Sequence, residues 1–150
     1  MVAAVTEGII PSVLEGVRRF LALYPGLGSG DWVTTDLTEE KPGSLALSPA
    51  GEEAVKEDVA GNREITRSYW LYRSCLAADE ADRRENQEFL EGMAGWILER
   101  NETEELPLLP AGCRAEGLRA GEIKIMESSG GRGRSYRMRL VLTYTEKRRG

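Results

Sequence analysis

The chain contains no histidine. That absence removes Ser–His and Cys–His nucleophile pairs, histidine metal ligands and histidine general bases together. Asp, Glu, Lys and Tyr remain as possible chemical groups, but no recognisable motif gathers them, and no two carboxylates stand at a spacing that argues for acid–base work. Cysteine is nearly missing as well. Cys75 and Cys113 are the only two, and they are too far apart to form a local metal-binding pair. Both fall in stretches that read as strands, where a reduced, buried thiol is expected rather than a disulfide. No apolar run approaches the roughly 18 residues that a bilayer-spanning helix needs. The first residues, Met1 to Glu7, lack the basic flank and long apolar centre of a secretory signal, so cytoplasmic residence is the default expectation. A phosphate loop with its lysine, a dinucleotide fingerprint and a calcium loop are also missing. Gly28-Ser29-Gly30 follows no strand and precedes no helix, and does not read as a nucleotide loop.

What is present suits one globular domain. A chain of 150 residues, 41% of them apolar, is long enough to build its own core. The most informative stretch is Asp79 to Asn101, which reads as an amphipathic helix. Phe89, Leu90, Met93, Trp96 and Ile97 recur at helical spacing and form one apolar stripe, with Glu88, Glu91, Glu99 and Arg100 off it. Asp79 or Asp82 is placed to cap its start. Leu106-Pro107-Leu108-Leu109-Pro110 cannot continue a helix, so an extended apolar passage is expected to leave it and press on the same core.

The remaining elements follow in order. Thr6 to Leu23 reads as a first helix, with Ile9, Ile10, Val13, Leu14, Val17, Phe20, Leu21 and Tyr24 on one broad face. Pro11 either sits in its first turn or kinks it. Trp32 to Thr34 reads as a short strand or an apolar anchor, Ser44 to Ser48 as a short strand, and Gly51 to Asn62 as a charged, solvated connection. Arg63 to Ala77 is the clearest strand. Alternation places Ile65, Arg67, Tyr69, Leu71, Arg73 and Cys75 on one face, and Thr66, Ser68, Trp70, Tyr72, Ser74 and Leu76 on the other. Gly112 to Arg119 and Glu122 to Glu127 read as extended, and Ser128 to Gly133 as a glycine-rich hairpin connection. In Ser135 to Glu146, Tyr136, Met138, Leu140, Leu142 and Tyr144 face one way, and Arg137, Arg139, Val141, Thr143 and Thr145 the other. Residues 147–150 form a basic tail expected to fray. The fold class expected is α+β: a mostly antiparallel sheet of about four strands, with two amphipathic helices packed on one face.

Charge is distributed unevenly. The net charge is −5, but Asp79 to Glu105 holds ten acidic and three basic residues, and Arg132 to Arg149 holds seven basic and one acidic. Such a chain can attract a copy of itself head to tail.

The order of landmarks resembles a family of small proteins from tailed bacteriophages and prophages, the tail terminator or tail completion type often labelled minor capsid proteins. The landmarks are Phe20-Leu21-Ala22-Leu23-Tyr24-Pro25, Ser44-Leu45-Ala46-Leu47-Ser48-Pro49, Tyr69-Trp70-Leu71-Tyr72-Arg73, the helix Asn86 to Ile97, the exit Leu106 to Pro110, and the strand Tyr136 to Tyr144. They cover nearly the whole chain. The resemblance lies in order and spacing, and Leu45 departs from the polar or aromatic residue usual there. It implies a structural protomer without catalysis, metal or cofactor, which assembles as a ring, typically a hexamer, on the tail tube and joins it to the head connector. The implied partners are therefore a second copy, the tail tube protein and the head connector, with no membrane and no specific nucleic acid. The implied location is the host cytoplasm during assembly, then the virion tail.

A ring needs one patch to meet a different patch on the next copy. Glu88, Glu91 and Glu99 on one protomer are expected to face Arg132, Arg134, Arg137 or Arg139 on the next. Three other functions compete: a head–tail joining or minor capsid role in the same particle, a small nucleic-acid-binding module using the Arg132–Arg139 hairpin, and an enzyme of unknown type, which the missing histidine and absent motifs disfavour.

Overall fold

A computed structural model of the chain describes residues 9–27, 33–35, 45–76, 80–127 and 133–147. Among these residues there are two helices, α1 (Val13–Leu21) and α2 (Glu80–Glu102). There are five strands: β1 (Val33–Thr34), β2 (Leu45–Glu57), β3 (Arg63–Leu76), β4 (Cys113–Glu127) and β5 (Gly133–Glu146). They form one sheet in the order β1-β2-β3-β5-β4. β1 runs parallel to β2, and every other pairing is antiparallel. The α+β class and the mostly antiparallel sheet agree with the sequence. The strand count among the described residues is five rather than about four, the additional one being the two-residue β1, which pairs along the start of β2.

The largest correction concerns Gly51 to Asn62. β2 does not stop at Ser48. It passes Pro49, shifts register between Pro49 and Glu53, and continues to Glu57. Gly51, at φ +83°, supplies a backbone conformation within that irregularity that other residues rarely adopt. Only Asp58 to Asn62 is turn. The Asp58 Oδ1 accepts the Ala60 and Asn62 N–H groups, both at 2.9 Å, and fixes the loop. This arm reads as solvated because it is so: from Glu53 to Ala60 every side chain is exposed. Likewise, Gly112–Arg119 and Glu122–Glu127 are one strand. β4 carries register shifts between Ala115 and Gly117 and between Gly121 and Ile123, and Glu122 takes φ +50° at the second.

The first helix is shorter than expected. Pro11 neither starts nor kinks it; Ser12 is its N-cap, and the Ser12 Oγ accepts the Glu15 N–H at 3.1 Å. Ile9 and Ile10 therefore lie outside the helix, Ile10 buried and Ile9 exposed. Thr6 to Gly8 are outside the described residues, as is Asp79. Asp82 lies inside α2 and is not its cap. Lys147, expected to fray, donates its N–H to the Gly112 carbonyl at 2.9 Å.

One face of the sheet holds the core. Leu45 and Leu47 of β2, Ile65, Tyr69 and Leu71 of β3, Leu118 of β4 and the even-numbered row Tyr136 to Tyr144 of β5 are buried there. Val17, Phe20 and Leu21 of α1 and Leu90, Met93 and Ile97 of α2 cover them. The helices meet through rings: Trp96 lies 5.0 Å from Phe20 and 5.5 Å from Tyr24, and Tyr24 meets the Phe89 ring nearly edge-on. The exit passage presses on the same core through Leu106, Pro107 and Leu109. No helix among the described residues is long and apolar enough to cross a membrane.

Candidate interaction surface

Strand alternation decides what the other face of the sheet displays. β3 pairs with β5 without any register shift from Arg63 to Leu76, so the face opposite the helices is read directly. Trp70 pairs with Arg139, and Tyr72 with Arg137. Arg137 in turn pairs with Lys124 of β4, and Val141 with Arg119. Farther along, Thr145 pairs with Arg114 and Glu64, and Glu64 with Lys56. Directly opposed residues share a face. One side of the sheet therefore carries Arg119, Lys124, Arg137 and Arg139 near Trp70 and Tyr72, with Lys56 and Arg114 on the same side at its far end. Among the described residues, Glu64 and Glu116 are acidic side chains on that side, the latter reached by the Thr145 hydroxyl at 3.4 Å. In a chain of net charge −5, this face is basic.

Its centre is built around Trp70. The Arg137 guanidinium lies 4.0 Å from the centroid of that ring and the Arg139 guanidinium 5.9 Å. The Arg139 Nη2 donates to the Ser68 Oγ at 3.2 Å, and Ser68 is buried. Arg137 and Arg139 are thus half-buried and oriented by the sheet, whereas Arg119, Lys124 and Arg114 are exposed.

The acidic partner surface is on the outside of α2. Glu88, Glu91, Gly95, Leu98, Glu99 and Glu102 recur at three- and four-residue spacing and are all exposed. Leu98 is 62% exposed despite its size. Since α2 covers the core face, the acidic surface and the basic surface lie on opposite sides of one sheet. The structure does not join them within a chain. Of the residues expected from sequence, Glu88, Glu91 and Glu99 share one helix surface, and Arg137 and Arg139 share the far sheet face. Arg134 stands in β5 opposite Cys75 and Glu127, and Arg132 lies outside the described residues.

Sequence reasoning missed Lys56, Arg114, Arg119 and Lys124. The bulges in β4 break its alternation, so its faces become legible only when it is paired, residue by residue, to β5. The register of the regular strand β5 was the usable signal.

A second feature is an open cleft of about 700 Å³ beyond the β2–β3 turn, lined by Glu57, Gly61, Arg63, Ala111, Gly112, Cys113, Glu146 and Lys147. Arg63 and Glu146 form an ion pair across it. The Cys113 thiol is free and half-buried, with its Sγ 4.0 Å from the Glu146 carboxylate. Burial, then the Glu146 charge, pushes the thiol pKa up. A reactive cysteine needs the opposite shift, so this arrangement does not make a nucleophile. Nearby, burial also pushes up the phenols of Tyr69 and Tyr144, against the opposing charge of Arg67.

The chain matches no protein-family model and no curated protein sequence.

Proposed function

We propose that this chain is a structural subunit of a tailed-bacteriophage or prophage particle. In this reading it is a tail terminator or tail completion protein that forms a ring on the end of the tail tube, stops tube growth and joins the tail to the head. The observation that carries the reading is the placement of an acidic helix surface and a basic sheet surface on opposite sides of one layer. Each complements the other but not itself. Copies therefore associate heterologously, and a rotation that closes gives a ring, typically a hexamer in the family this chain resembles. The order of landmarks along nearly the whole chain supports the same reading. A head–tail joining or minor capsid position in the same particle uses the same surfaces. Assembly takes place in the host cytoplasm and the product resides in the virion.

The test is addition of the purified chain to polymerising tail tube protein from the same genome. Closed rings on tube ends and arrested tube growth, seen by electron microscopy, support the proposal. Tubes that grow to the same length with and without the chain overturn it.

The basic face with Trp70 and Tyr72 favours one other reading, a module for single-stranded nucleic acid. The stacked Arg137 weighs against it, because the Trp70 ring is already partly covered. Retention on DNA that falls steeply with salt would favour this second reading.

A further inference from the structure

We infer that the face of the sheet opposite the helices is the docking surface for the α2 helix of a second copy of this chain, with Trp70 and Val141 at its centre and Arg119, Lys124 and Arg137 at its rim. This rests on the structural-subunit reading above and names the interface that reading leaves open.

Three observations carry it. First, among the described residues, charges on both surfaces stand outside the ion pairs. Among the described residues, Arg119 and Lys124 on β4 and Glu88, Glu99 and Glu102 on α2 make no ion pair, although five other arginines do. A second copy supplies each with the opposite sign. Second, the outer surface of α2 is not purely polar. Exposed Leu98 stands one turn from Gly95, beside which a side chain would meet no atom within 4 Å. A helix bearing a glycine and a leucine between glutamates can approach a flat sheet closely, with Leu98 against Trp70 and Val141. Third, the edges of the sheet are poor joints. β1 has two residues; β2, next to it, carries Pro49 and an irregularity between Pro49 and Glu53; β4 is broken twice. Face-to-face docking is the remaining route. Pairing two sheet faces symmetrically would oppose basic to basic, and pairing two α2 surfaces acidic to acidic, so the contact runs from helix to sheet and repeats in one direction.

The experiment is a charge swap with rescue. Glu91→Lys with Glu99→Lys makes the helix surface basic against a basic sheet. Lys124→Glu with Arg137→Glu makes the sheet acidic against an acidic helix. Sedimentation and native mass spectrometry across concentration and salt read the outcome. Each double variant alone loses self-association at concentrations where the native chain associates. An equimolar mixture regains it, because every contact between the two variants then joins opposite charges and the copies alternate. Recovery on mixing also proves that both variants are folded. Variants that assemble as the native chain does overturn this interface and leave the ring reading standing. A native chain that stays monomeric at all concentrations, alone and with tube ends, overturns both. Loss of DNA retention in the sheet variant, without any effect on self-association, assigns the face to nucleic acid and overturns the inference.

Discussion

The Arg137 guanidinium lies over the Trp70 ring, 4.0 Å from its centroid, on the sheet face that no described helix covers. The two residues sit on neighbouring strands, Trp70 opposite Arg139 and Arg137 one pair farther on. The Arg137 Nε is buried and makes no hydrogen bond. An unsatisfied polar atom costs free energy, and the ring contact offsets part of it. A cation over a tryptophan contributes about 0.5–2 kcal/mol according to how dry the site is. A double-mutant cycle between Arg137→Ala and Trp70→Leu, read by urea unfolding, should give a coupling of about 1 kcal/mol. A coupling near zero would mean that the stack adds no stability to the folded chain.

Asn101 ties the end of α2 to a broken strand. Its Oδ1 accepts the Leu118 N–H at 2.8 Å, and its Nδ2 donates to the carbonyls of Leu118 and Ile97, both at 2.6 Å. Leu118 follows the first register shift of β4, where a bulge leaves backbone groups without a ladder partner. The amide replaces that ladder with a side chain. Removing it by Asn101→Ala leaves a buried donor and acceptor unmatched, and should cost about 2–3 kcal/mol. Asn101→Asp keeps the acceptor, loses the donors and places a charge beside two carbonyls, and should cost at least as much. Denaturant midpoints for the two variants check the order.

How legible this was in the sequence depended on regularity. β5 alternates without interruption, and its buried row from Tyr136 to Tyr144 follows from the pattern alone. The apolar stripe of α2 was equally plain, and Leu90, Met93 and Ile97 are fully buried. β3 divides its faces as alternation predicts. By contrast, β2 beyond Pro49 has no buried row, because no described helix covers that arm, so nothing in its composition distinguishes strand from loop. β4 hides for another reason: each bulge reverses the parity of the residues after it. The acidic half of the candidate interface was therefore readable from helical spacing, and the basic half only in part. Arg137 and Arg139 lay on the regular strand, whereas Arg119 and Lys124 lay on the irregular one.

Gly16 marks the closest approach between α1 and the passage that leaves α2. A Cβ built there would lie 2.3 Å from the Leu108 carbonyl oxygen and 3.0 Å from the Leu109 side chain. The first obstacle is backbone, in a segment held by Pro107 and Pro110, so it cannot swing aside as a long side chain would. Alanine normally favours a helix over glycine by up to about 1 kcal/mol. Here the clash reverses the sign, and Gly16→Ala should destabilise by about 1–3 kcal/mol, the usual cost of overpacking. Gly95→Ala on α2 is the control. It meets nothing within 4 Å and should stabilise or leave the thermal midpoint unchanged. Equal midpoints for the two variants would show that the contact at Leu108 gives way freely.

Glu15 gives the fold a dependence on acid. Its carboxylate pairs with Arg18 at 2.6 Å and Arg19 at 2.7 Å, and the Arg18 Nη1 also reaches the Val33 carbonyl at 3.3 Å, so the cluster joins α1 to β1. The Arg18 hydrogen bond, against some opposition from burial, lowers the Glu15 pKa from an ordinary 4.5 to about 2. Because the folded value is depressed, the pairing stabilises fully above about pH 4.5 and is lost as pH falls toward 2. Glu15→Gln removes the charge at every pH. The native chain should therefore be more stable than Glu15→Gln at pH 7, keep that advantage unchanged to about pH 5, and lose it steadily below. Salt should reduce the advantage at pH 7, since both arginines retain contact with water. Unfolding free energies of the two proteins between pH 7 and pH 2 check it; an advantage that grows on acidification would contradict the pairing, because protonating Glu15 can only weaken its attraction to Arg18 and Arg19.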